Sequence, residues 1–179
     1  GDMQLNLFEK VEILLDNKEN KYFSTHNGYL LPANKDSLMK LRNSKDLQKN
    51  KESIVGSIQV GIQSDTDVMD QELNVRHKVT QVFCSGLPVS YDRVTPQFIE
   101  TALDHRGKNK KELQEPLARL MLEGAYEATI AYAAFIAEIK HERKTLFLTL
   151  IGGGSYGNDH VWIADAMTAA LEKYKTANL

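Results

Sequence analysis

Two stretches of this 179-residue chain bring together residue types that can do chemistry. The first is Leu146-Phe147-Leu148-Thr149-Leu150-Ile151-Gly152-Gly153-Gly154-Ser155-Tyr156-Gly157-Asn158-Asp159, an apolar run, a glycine cluster and a helix start. Four glycines in six residues let the backbone enter left-handed turns and approach a ligand closely. Successive amide N–H groups can then converge as an anion nest, and the N-terminus of the next helix adds unpaired N–H groups and the positive end of its dipole. A phosphate or diphosphate is the natural occupant, and a tight glycine turn with nothing bound is the competing reading. The second stretch, Ser64-Asp65-Thr66-Asp67-Val68-Met69-Asp70, carries carboxylates in a D-x-D-x-x-D spacing at the end of an alternating strand pattern. Carboxylates held close together raise one another's proton affinity, which suits acid–base work. A plain acidic surface turn is the alternative. A calcium loop is a weaker one, because the glycine and the distant glutamate of an EF-hand are missing.

Chain position separates the motifs that overlap at the glycine cluster. Gly152, Gly154 and Gly157 satisfy G-x-G-x-x-G, but only a helix and a short tail follow, so a dinucleotide-binding βαβ unit with its downstream acidic residue cannot be completed. Gly153, Ser155 and Gly157 satisfy G-x-S-x-G, yet the following acids and histidine (Asp159, His160, Asp165) all fall on one helix or its cap, which excludes a nucleophile elbow. No Lys-Ser or Lys-Thr pair follows the glycines, so a P-loop is excluded as well. Cys84 reads as a core residue of an apolar strand rather than a nucleophile partnered by His26 or His77. The five histidines show no paired metal-ligand spacing, and neither a metal nor a redox cofactor is expected. His160, Glu123, Glu127 and the run Lys108 to Lys111 read as solvated, and Trp162 as a core residue of the last helix.

Composition sets the frame. Hydrophobic residues make up 42% and charged residues 26%, which predicts a packed core. A net charge of -2 gives no basic field for a nucleic-acid backbone. The single cysteine excludes a disulfide framework and a multi-thiolate zinc site. The longest apolar run, Ala128 to Ala137, is too short to span a bilayer, so no membrane contact is expected. No charged-then-apolar leader opens the chain, and Gly1-Asp2-Met3 reads as a tag remnant; a cytoplasmic protein is expected.

Periodicity predicts helices over Leu5–Asp16, Lys35–Leu47, Pro96–Leu103, Pro116–Lys140 and Asn158–Lys173, the last with Asn158 as N-cap. The long helix carries the stripe Leu117, Leu120, Met121, Gly124, Ala128, Ala131, Phe135 and Ile139, whose small members allow a close neighbour. Strands are predicted at Gly28–Leu31, Ile58–Ile62, Val79–Cys84 and Leu146–Leu150, the last apolar throughout and thus central in a sheet. The polar stretch Lys45–Glu52 reads as a solvated helix end or surface loop, and His105–Glu115 as a linker entering the long helix. The alternation predicts a three-layer α/β/α sandwich with a mixed central sheet over residues 28–179, preceded by an N-terminal helical segment, 1–27.

The run Leu148 to Ala170 resembles the diphosphate loop of macro domains, and most the poly(ADP-ribose) glycohydrolase-like branch. Gly154-Ser155-Tyr156-Gly157-Asn158-Asp159 carries that similarity, supported by Leu30-Leu31-Pro32-Ala33-Asn34 and by Val82-Phe83-Cys84-Ser85-Gly86-Leu87-Pro88. The resemblance implies ADP-ribose or an ADP-ribosylated protein as ligand, bound by Gly152, Gly153, Gly154, Ser155, Tyr156, Gly157 and Asn158 at the diphosphate. It also implies a distal ribose oriented by Asn34, and Ser85 and Tyr91 lining the cleft. Asp65, Asp67 and Asp70 would supply the catalysis of glycosidic-bond hydrolysis. The tandem glutamates of the glycohydrolases are missing, so a non-catalytic ADP-ribose reader, or a binder of another nucleotide or sugar phosphate, is the alternative.

Overall fold

The computed structural model describes residues 6–26, 29–70, 75–90, 108–143 and 145–177. The chain is mixed α and β. Two short helices, α1 (Glu9–Leu14) and α2 (Asn17–Asn20), lead into the hairpin of β1 (Phe23–His26) and β2 (Tyr29–Pro32). Helices α3 (Lys35–Arg42), α4 (Lys45–Lys49) and α5 (Lys51–Val55) follow, then the longer hairpin of β3 (Gly61–Asp70) and β4 (Val75–Phe83). Helix α6 (Lys108–Lys140) and helix α7 (His160–Lys173) complete the described elements.

Among the described residues the sheets are two separate antiparallel pairs, β1–β2 and β3–β4, and no mixed central sheet with helices on both faces is formed. The pattern of residues 146–150 predicts a central strand, but the segment takes no ladder partner. An apolar pentapeptide specifies that a chain wants cover; it does not supply the neighbouring backbone a strand requires. The boundary drawn at residue 27 falls within the first hairpin, where His26 faces Tyr29, and Phe8 and Val11 share one apolar cluster with Leu30 and Leu38. Buried Asn17 fixes this end: its Oδ1 accepts from Tyr22 and Phe23 N–H and its Nδ2 donates to the Phe23 carbonyl.

The long helix starts well before Pro116, so residues 108–115 are helical and not a linker. Its apolar face is buried at Leu117, Leu120 and Met121 against α3, α5 and α7. Toward the far end the stripe departs from the predicted core: Phe135 is 56% and Ile139 57% exposed. Gly124 is the closest approach. A Cβ placed there would lie 2.4 Å from Ile58 Cδ1 and 2.6 Å from Ile58 Cβ. The helix predicted over 35–47 is broken into α3 and α4, with α3 stopping at Arg42. The predicted helix Pro96–Leu103 lies outside the described residues.

Candidate functional site

The glycine turn is built by hydrogen bonds from elements far away in sequence. Tyr126, on α6, has its hydroxyl donating to the Thr149 carbonyl (2.6 Å) and accepting from the Ile151 N–H (3.0 Å). Burial pushes its phenol pKa up, so it stays protonated and able to donate. Beyond Ile151 the chain turns twice through left-handed glycines, Gly152 at φ +69° and Gly157 at φ +70°, positions that disfavour a side chain. The Asn158 N–H donates to the Gly152 carbonyl at 2.9 Å and closes the turn. The Ser90 N–H donates to the Tyr156 carbonyl at 2.9 Å and ties the turn to the segment after β4.

Sequence reasoning placed Asn158 among ligand-binding residues and at the cap of the last helix. The structure gives it another role. Its side chain is only 3% exposed, and Nδ2 donates to the carbonyls of Leu87 (2.7 Å) and Gly152 (3.2 Å). It therefore braces the turn from beneath. The cap is Asp159, whose carboxylate accepts from the Val161 N–H at 2.9 Å. Lys111 Nζ lies 2.8 Å from that carboxylate, and this hydrogen bond, with the one from Val161, holds the Asp159 pKa below the ordinary carboxylate range. The positive end of α7 is thus already answered by a side chain, so the helix dipole is not left open to a ligand.

What remains open is the rim of the turn. Gly154 and Ser155 are exposed, and a Cβ at Gly154 would meet nothing within 4 Å. Their amide N–H groups take no partner. Tyr156 and Tyr29, from β2, stand edge to face beside the rim with ring centroids 6.2 Å apart. Trp162 is buried as its helix demands, with the Lys111 ammonium 5.4 Å and the Arg119 guanidinium 5.9 Å from its ring.

Next to the turn a cleft of about 430 Å³ opens between β4, α6 and residues 145–151. Cys84, Tyr126, Thr149 and Ile151 line the end shared with the turn. Asp65 lines the cleft too, and a β-bulge puts it there. The ladder runs from Gln63 opposite Gln81 to Thr66 opposite Val79, so β3 holds one extra residue, and Asp65 adopts φ +55°. Ser64 Oγ lies 3.0 Å from the Tyr132 hydroxyl and pins the bulge to α6.

The other predicted site residues are not drawn to this place. The aspartate spacing falls inside a strand and not in a loop, so the three carboxylates do not converge. Asp67 sits opposite Lys78 and does not line the cleft, and Asp70 pairs with Val75 at the far end of the hairpin, about 17 Å along the strand from Asp65. Asn34 is exposed, and its Oδ1 caps α3 by accepting from the Ser37 N–H at 2.9 Å. Ser85 Oγ donates to the Gly86 carbonyl at 3.1 Å. Tyr91 lies outside the described residues. Burial pushes the Cys84 thiol up, which keeps it a thiol at neutral pH; His77, opposite Val68, is about 23 Å along the strand from it. No group of acidic, histidine or cysteine side chains suited to hold a metal occurs among the described residues, and no helix there is long and apolar enough to cross a membrane.

The sequence does not single out Tyr126, and it reads Lys111 as solvated. Tyr126 lies among the apolar residues of a long helix, and its partners are backbone atoms that no side-chain pattern discloses. Tyr126→Phe is expected to cost about 1–3 kcal/mol, because it leaves the Thr149 carbonyl and Ile151 N–H without their partner. Thermal unfolding with circular dichroism checks this, as a midpoint lowered by several degrees.

No protein-family profile, curated protein or solved structure matches this chain.

Proposed function

We propose that this chain is a macro-domain-like module that binds ADP-ribose, with the diphosphate at the rim of the glycine turn. One observation carries the reading: Gly154 and Ser155 are exposed, and among the described residues their amides take no hydrogen bond, on a turn that Asn158, Tyr126 and Ser90 hold in place. Two unpaired N–H groups on a braced backbone are an anion site that needs no reorganisation on binding. The Tyr29–Tyr156 pair offers an aromatic edge to the sugar or base, and Lys111 offsets the charge of Asp159 close to the incoming phosphates. The three-layer arrangement of the macro class belongs to this proposal.

Hydrolysis of the ADP-ribosyl bond is the second reading. Asp65 favours it, as a carboxylate turned into the cleft by its bulge. The placement of Asp67 and Asp70 away from the cleft favours a reader over a hydrolase. No cofactor is needed for either.

Calorimetric titration with ADP-ribose, ADP and inorganic phosphate tests the proposal. We expect micromolar binding of ADP-ribose, weakened about tenfold or more by Gly154→Glu, a loss of at least about 1.4 kcal/mol. The open space at Gly154 lets that side chain enter without disturbing the turn, so the melting temperature should be unchanged. Absence of binding at millimolar ADP-ribose would sink the proposal.

A further inference from the structure

The cleft beside the glycine turn is lined by β4, by residues 145–149 and by α6. One wall is β4, which among the described residues pairs with β3 alone. Another is the segment 145–148, whose backbone N–H and C=O groups take no hydrogen bond among the described residues. Along that wall Leu146 and Leu148 are half-buried while Phe147 and Thr149 are exposed, the alternation of a β-strand. The floor is α6, which contributes Tyr126, Thr129, Tyr132, Ala133 and Ile136. Two rows of unpaired backbone groups flanking an apolar floor are costly to leave open and complementary to one extended chain.

We propose that this groove binds an extended peptide segment of another polypeptide, which enters as a strand between β4 and residues 145–148. The sheet edge of a second folded copy can pair with one wall only, whereas a free segment pairs with both. Charge specifies the peptide further. Lys140 lines the groove without a salt-bridge partner among the described residues, so an apolar strand with an acidic end beside Lys140 is favoured. The backbone supplies affinity and the small or β-branched residues facing α6 supply selectivity.

The probe is an acetylated, amidated octapeptide that alternates valine with threonine and ends in two glutamates, followed by fluorescence anisotropy with the full chain. The peptide carries no phosphate, so the outcome is independent of what the glycine turn binds. Saturable micromolar binding is expected. It should weaken about tenfold or more when alternate peptide amides are N-methylated, and several-fold when the glutamates become lysines. Ala133→Trp, which fills the floor, should weaken it similarly while the circular dichroism spectrum is retained. Equal affinity for the N-methylated peptide would overturn strand addition whatever the fate of the Ala133 variant. So would no saturation at about 1 mM peptide, or sedimentation showing a dimer of the chain that excludes the peptide.

Discussion

Asn158→Asp should destabilise the fold by about 3–5 kcal/mol at neutral pH, although it changes one atom in a side chain. Asn158 is buried, and its Nδ2 holds the carbonyls of Leu87 and Gly152 together. An ionised aspartate there has no hydrogen to donate and faces two carbonyl dipoles with a desolvated charge. The damage should depend on pH with a defined sign. The introduced carboxyl has a folded-state pKa raised above its unfolded value of about 3.9, so between the two the folded state binds more protons. The penalty is therefore smallest near pH 4, deepens as pH rises through the folded-state pKa, and is constant above it. Denaturant unfolding of both proteins from pH 4 to 8 measures this as a stability difference that widens with pH. A difference that is flat, or that narrows with rising pH, would show that Asn158 is not the buried donor described. Loss of the brace should also abolish binding at the turn, since Gly154 and Ser155 are held in place through it.

Gly124→Val should cost about 3 kcal/mol. A Cβ at Gly124 falls 2.4, 2.6 and 2.9 Å from Ile58 Cδ1, Cβ and Cγ1. The terminal methyl can rotate away, but the Ile58 Cβ is fixed to the backbone, so the helix and the segment before β3 must separate. Helix propensity works in the opposite direction, since glycine in a helix interior is about 1 kcal/mol worse than alanine. Gly124→Ala is accordingly expected to be milder, near 1–2 kcal/mol after that offset. The contact itself is tested by a double-mutant cycle. Trimming Ile58→Ala in the Gly124→Val background should recover part of the loss, giving a coupling of about 1 kcal/mol in urea unfolding. Strict additivity would place the strain elsewhere.

Features that depend on neighbours along the chain were legible before any folding. The apolar stripe from Leu117 to Gly124 specified the buried face of α6, and the smallness of Gly124 announced its close approach. The glycine cluster at 152–157 specified that the chain can turn left-handed there, because no other residue takes that conformation at so little cost; the fold placed the turns at Gly152 and Gly157. The apolar spacing after residue 158 specified α7, although its cap is Asp159 and not the Asn158 that the sequence points to. Each of these rests on steric and periodic rules that act within a few residues. Tertiary structure decided everything that needs a partner distant in sequence. The D-x-D-x-x-D spacing suggested one site, but the strand spreads its members along the ladder, Asp67 opposite Lys78 and Asp70 opposite Val75, and of the three only Asp65, at a bulge set by pairing with β4, lines the cleft. Asn158 could cap a helix or brace a turn, and the carbonyls of Leu87 and Gly152 chose the brace. Residues 146–150 have a central strand's composition and lack its ladder, because composition fixes how much apolar surface seeks cover while only the fold supplies backbone to pair with it.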